Sequence, residues 1–196
     1  MYKVFDIIFF KIFLEIMEKM STMEKNNYHK EYIENLVQKS FEEFQSYIKK
    51  ASDNFVYGSD NCSEAIASSI AEFEGKNKEI YKGMVSGFGK GIAGNAETCG
   101  AMLTGISFVS KIAFENGYNK KEIRNFCNNF YKKFQEEFKS TQCSILSGHD
   151  CDQPFDSDFD LHTCGKYIAF TTKEILNFKR NIQPANESQN LKNSLQ

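Results

Sequence analysis

Apolar positions recur at helical spacing along most of this chain. Over residues 28–51, Ile33, Leu36, Val37, Phe41, Phe44 and Ile48 fall three or four apart with Lys and Glu between them, which predicts one amphipathic helix. A connector over 55–61 closes on Ser59, Asp60 and Asn61, all good N-cap types. The next helix is predicted from about Cys62 to Phe73, with Cys62, Ile66, Ser69, Ile70 and Phe73 on one face. Gly75, Lys76 and Asn77 break it, and 79–88 reads as a further short helix.

Beyond a glycine-rich loop a helix is expected over 97–116, stopped by Gly117. Residues 119–139 carry the stripe Ile123, Phe126, Cys127, Phe130, Phe134 and Phe138. Ser140, Thr141 and Gln142 precede one or two turns from Cys143 to Gly148, and an Asp-rich loop covers 149–160. A last helix over 161–179 aligns Cys164, Ile168, Thr171, Ile175 and Phe178. No segment sustains the period-2 alternation of a half-buried strand, and no repeat of solenoid length is present. The pattern predicts an all-α fold: a compact, multi-helix single domain in which a Gly-rich loop leads into a central helix.

The ends differ from this middle. Residues 1–25 hold an apolar cluster that Asp6, Lys11 and Glu15 interrupt, so it offers neither a spanning helix nor a signal-peptide centre. It is expected to be an extension produced by an over-long gene start, with Met17, Met20 and Met23 as internal starts; an amphipathic anchor is the other reading. The four-cysteine domain is assigned to 26–180, and the polar tail over 181–196 is expected to be disordered.

Charge and composition narrow the function classes. Lys plus Arg number 24 against 26 Asp plus Glu, which gives no electrostatic case for nucleic acid or an anionic membrane. Nineteen Phe, two Pro and no Trp favour uninterrupted helices packed on aromatic rings. A chain long enough for a full core does not need disulfide staples, and no secretory signal is evident. The six cysteines (62, 99, 127, 143, 151 and 164) therefore read as reduced thiols or metal ligands in a cytoplasmic protein.

The densest chemistry lies in 83–105, where seven glycines surround Cys99. Four cysteines share one local setting. Cys62 follows Ser59, Asp60 and Asn61; Cys99 follows Asn95 and Thr98; Cys143 follows Ser140 and Thr141; Cys164 follows Asp160 and Thr163. Each is expected in the first turn of a helix, where free N–H groups and the helix dipole favour a thiolate. Four such thiolates could close a Cys₄ metal or cluster site, or act as redox pairs; the bland reading is four buried core cysteines. Their separations of 37, 44 and 21 residues match no local zinc signature, so the fold must assemble any site. Cys127 reads as core, and Cys151 as a spare exposed thiol.

Two motif matches carry less. Gly89, Gly91 and Gly94 fit G-x-G-x-x-G, but a helix precedes them and no βαβ unit surrounds them, so dinucleotide binding is not expected. These glycines are expected instead to let the loop pass close to a helix or to the sulfur site. His149, Asp150, Cys151, Asp152, Asp156, Asp158, Asp160 and His162 lack the glycine and terminal glutamate of a calcium loop and read as a solvated acidic loop. His162, two residues before Cys164, is a candidate donor or substitute ligand, although an exposed polar histidine is the commoner case.

The four selected cysteines, with Asn61–Ala65, Ser86–Gly89, Glu97–Ala101, Phe134–Phe138 and Ser140–Cys143, resemble the family described as putative redox-active proteins with the pattern C-GCAxxG-C-C. The resemblance runs from about Asn61 to Leu176. It implies that Cys62, Cys99, Cys143 and Cys164 are the family cysteines. Around Cys99 the chain reads Thr-Cys-Gly-Ala-Met-Leu-Thr-Gly rather than Gly-Cys-Ala-x-x-Gly, with the next glycine two residues late. A similar domain within a cytochrome carries an iron–sulfur centre, so the resemblance implies a cluster on these four cysteines. Zinc or a metal-free dithiol–disulfide pair are the alternatives, and a structural scaffold is the alternative of another class. Covalent haem is not expected without Cys-x-x-Cys-His. The expected partner is a redox protein, with a homodimer as the candidate assembly.

Overall fold

The computed structural model describes residues 24, 27–38, 40, 42–148 and 158–185, with side chains from Thr163 onward in the last stretch. The expectations for residues 1–23, for residues 149–157 of the acidic loop with Cys151, for the His162 side chain and for the tail beyond residue 185 fall outside the described residues. The described chain is all-α, with no strand: α1 (27–38), α2 (Glu42–Val56), α3 (Cys62–Phe73), α4 (Lys78–Val85) with a 3₁₀ turn (Ser86–Phe88), α5 (Gly100–Glu115), α6 (Lys120–Phe138), α7 (Cys143–Ser147) and α8 (Asp158–Asn181). No helix among the described residues is long and apolar enough to cross a membrane.

The single helix expected over 28–51 is two. The Ser40 hydroxyl donates to the Leu36 carbonyl (2.7 Å) and its N–H to Val37 (3.0 Å), closing α1 in a tight turn. Serine diverts the backbone in this way because its side chain competes for local carbonyls. The chain then restarts at Glu42 and continues to Val56, into the region expected to be a connector. At the other end, α8 begins at Asp158, three residues inside the expected acidic loop.

α3 is buried continuously from Ala65 to Ala71, with α2, α4, α5 and α8 packed around it. Small Ala and Ser side chains permit that enclosure. Asn61 starts the helix in a capping box with Glu64, accepting from the Ser63 and Glu64 N–H groups. α5 is pinned against α6 at Gly105, where a β-carbon would overlap the Phe130 ring. Phe134, Phe138, Tyr167 and Phe170 then join α6 to α8 through edge-on and tilted rings.

One buried charge ties four helices together. The Glu74 side chain, 4% exposed, accepts from Lys179 (2.8 Å), Lys111 (3.1 Å) and the Tyr81 hydroxyl. Burial alone would push its carboxyl up, but the hydrogen bonds from Lys179, Tyr81 and Lys111 together hold it below the ordinary value of 4.5. A depressed carboxylate pKa means that the stabilisation is complete above pH 4.5 and is lost as pH falls through the folded value. Glu74→Gln is expected to cost about 2–3 kcal/mol at pH 7, as an interrupted ion pair with partly exposed lysines should. Denaturant unfolding at pH 7 and pH 3 tests this: the difference between variant and wild type should shrink at the lower pH.

Candidate four-cysteine site

A cavity of about 260 Å³ opens where the starts of α3, α5 and α7 meet α8, and Cys62, Cys99, Cys143 and Cys164 all line it. Phe55, Ala101, Leu146 and Tyr167 supply apolar wall, while Ser59, Asp60, Asn61 and Lys90 add polar groups. Asp60 is held by Lys82 at 2.6 Å.

The cysteines reach the cavity by different routes. Cys62 is the first residue of α3 and Cys143 the first of α7. Cys99 is the N-cap of α5, which begins at Gly100 rather than near Glu97. Cys164 departs from expectation, lying in the second turn of α8 because that helix starts early. Cys99 and Cys143 are buried; Cys62 and Cys164 are half-buried. Cys127 stands apart on α6, half-buried against the core, with its thiol directed at the Ile106 carbonyl (3.7 Å).

Two loops fix Cys99 against Cys143. Thr98 and Gln142 form an isolated antiparallel bridge. The Cys99 N–H donates to Thr141 (2.8 Å), the Cys143 N–H to Glu97 (2.6 Å) and the Ser144 N–H to Ala96 (3.1 Å). These bonds hold the start of α5 beside the start of α7, so Cys99 and Cys143 are carried on one paired element. Side-chain period had no means of revealing this pairing of two non-regular segments. Tyr167 was likewise not singled out, although it follows Cys164 by three residues and so shares its helical face. Its buried hydroxyl donates to the Leu146 carbonyl (2.7 Å), linking α8 to α7.

The glycine loop forms a left-handed turn. Lys90, Gly91, Ile92, Ala93 and Gly94 have φ of 52°, 69°, 63°, 54° and 85°. For the three non-glycine residues this conformation costs about 1–2 kcal/mol each. Backbone bonds from Ala96 to Lys90 (3.1 Å) and from Glu97 to Gly91 (3.0 Å) close the turn onto the segment that carries Cys99. The three glycines are not equivalent. Gly91 faces Cys143, where a β-carbon would come within 2.6 Å of the cysteine Cβ; Gly89 lies against the Asn61 side chain; Gly94 meets nothing within 4 Å.

Burial reverses the expected ease of thiolate formation. It pushes the Cys62 thiol up, and the Ser63 hydroxyl and the N–H groups of Lys90, Ser63 and Cys62 offset only part of that shift. Cys99 is raised strongly, by burial first and then by the neighbouring Cys62; N–H groups of Met102 and Ala101 oppose the rise, and Cys143 adds to it. Helix-start donors are present, as the sequence suggested, but desolvation outweighs them in the free thiols. Among the described residues no three His, Cys, Asp or Glu side chains gather as the ligands of one metal ion.

The family model for putative redox-active proteins with the C_GCAxxG_C_C pattern matches residues 60–177, more than half of the chain. The chain belongs to this family. No curated protein and no solved structure matches it. The matched span contains all four cavity cysteines, the glycine turn and the loop pairing. The departures from the family pattern around Cys99 have a physical setting here. A β-carbon at Gly100 would lie 2.9 Å from Cys62 Sγ and 2.6 Å from Ser63 Oγ, and the late glycine, Gly105, is the one that admits Phe130.

Proposed function

We propose that this family member is an electron-transfer protein whose four cysteines hold an iron–sulfur cluster. The observation that carries the reading is that one cavity of about 260 Å³ has Cys62, Cys99, Cys143 and Cys164 together in its wall. Four cysteine thiolates are the usual ligand set of such clusters. A single tetrahedral ion would draw thiolates to about 3.8 Å from one another. A polynuclear group would suit Cys62, Cys99, Cys143 and Cys164 spread around the wall of a cavity better than a single ion would. When bound, the cluster supplies a one-electron couple.

The chain's own residues have separate tasks. Cys62, Cys99, Cys143 and Cys164 ligate. N–H groups of Lys90 and Ser63 at Cys62, and of Met102 and Ala101 at Cys99, offset negative charge on sulfur and raise the potential. Gly91 lets the turn approach Cys143. Phe55, Leu146 and Tyr167 limit water at the site. Thiol exchange as the main activity is less well served, because only Cys62 and Cys164 are open to an incoming disulfide while Cys99 and Cys143 are buried. The reaction partner is a redox protein that meets the cavity mouth.

Dithionite titration without oxygen, followed by visible absorbance, tests the reading. The expected result is a reversible one-electron bleaching. Uptake of two electrons per chain with no visible change would instead indicate thiol chemistry.

A further inference from the structure

The starts of α3 and α5 touch each other more closely than the placement of four cysteines around one cavity requires. Cys62 Sγ lies beside Gly100, at 2.9 Å from where a β-carbon on that residue would stand, and Ser63 Oγ is closer still at 2.6 Å. Gly100 directly follows Cys99, so the Cys62 sulfur rests against the backbone that bears Cys99. The other two cysteines are held elsewhere. Cys143 leans on Gly91 of the left-handed turn, and its N–H is committed to Glu97. Cys164 comes from within α8, whose backbone is tied to α2 by the Ser52 hydroxyl donating to Gly165 (3.2 Å).

We propose that, when the site is free of metal, Cys62 and Cys99 close into a disulfide while Cys143 and Cys164 remain thiols. This inference rests on the preceding reading only in treating the four cysteines as one redox site. The oxidant is a low-molecular-weight disulfide. Cys62, half-buried and lining the open cavity, attacks one of its sulfurs as the thiolate, releases one small thiol and forms a mixed disulfide. Cys99 then attacks the Cys62 sulfur and releases the second small thiol. One S–S bond forms in the chain and one breaks in the oxidant; two electrons and two protons pass to the two small thiols. The pairing joins two helix starts that already abut, so it preserves the fold. It also keeps both sulfurs from irreversible oxidation until a thiol reductant restores them.

The test uses the full chain, stripped of metal by a chelator, reduced, and then equilibrated with mixtures of oxidised and reduced glutathione. After the remaining thiols are blocked, digestion with trypsin and an Asp-specific protease separates all six cysteines for mass mapping. The expected result is one dominant linkage, Cys62 to Cys99, with Cys143 and Cys164 blocked as thiols. A C143S/C164S double variant should keep that linkage at wild-type yield. Dominant linkage of any other pair, Cys127 and Cys151 included, or glutathione adducts alone, would overturn the proposal. Iron and sulfide content of untreated protein is measured separately. The cluster reading can therefore fail while the disulfide forms, or stand while it does not.

Discussion

Cys99→Ser is expected to remove iron from the protein while leaving its helices in place. Cys99 is the N-cap of α5 and is bonded through its backbone to Thr141, a contact that serine keeps. Serine changes the donor: a hydroxyl is a poor ligand for soft iron–sulfur chemistry, and the N–H groups of Met102 and Ala101 lose the sulfur they offset. Loss of a group that only hydrogen-bonds a ligand typically costs about 10–100-fold in metal affinity, so loss of the ligand itself should reach at least about a hundredfold. The fold should lose only about 1–2 kcal/mol for a buried hydroxyl in place of a thiol. Iron content and a thermal melt on the same preparation separate the two effects. Cys127→Ser is the control, since Cys127 packs away from the cavity and should leave iron unchanged. Equal iron loss in both variants would contradict the assignment of the site.

Gly91→Ala is expected to damage fold and site together. The substituted residue would have to keep φ of +69° and place its β-carbon 2.6 Å from Cys143 Cβ, 2.8 Å from the Glu97 nitrogen and 2.9 Å from the Ala96 carbonyl carbon. Two of those neighbours are backbone in the segment that pairs Cys99 with Cys143, so they cannot rotate away. Overpacking and a left-handed alanine together should cost about 2–4 kcal/mol. For a chain of this size that is a fall in melting temperature of roughly 5–15 °C. Gly94→Ala is the matched control. At φ +85° it carries backbone strain, but it meets nothing within 4 Å and should cost only about 1–2 kcal/mol. If the two variants melt together, the close approach of the turn to Cys143 is not what holds the site.

The legible parts of the fold were those governed by local rules. The α3 and α6 boundaries follow from Asn61 and Asn119, whose side chains cap the next helix, and from apolar residues repeating every three or four positions. The break after α1 was less visible, because the interrupting signal is one serine hydroxyl inside an otherwise continuous stripe. The four cavity cysteines could be selected from their shared neighbourhood of cap residues. What brings them together could not be read: the Thr98–Gln142 bridge joins segments far apart in sequence, and the left-handed turn includes Lys90, Ile92 and Ala93, which carry no preference for positive φ. Cap context also misjudged acidity. It registers the donors near a thiol but not the burial around it, and burial governs Cys62 and Cys99.

The most direct measurement is the iron and acid-labile sulfide content of the full chain purified without oxygen. Both elements are expected in matching amounts per chain, and both are expected to be lost when Cys62, Cys99, Cys143 or Cys164 becomes serine. A chain that stays free of iron and sulfide after reconstitution with both would contradict the cluster reading.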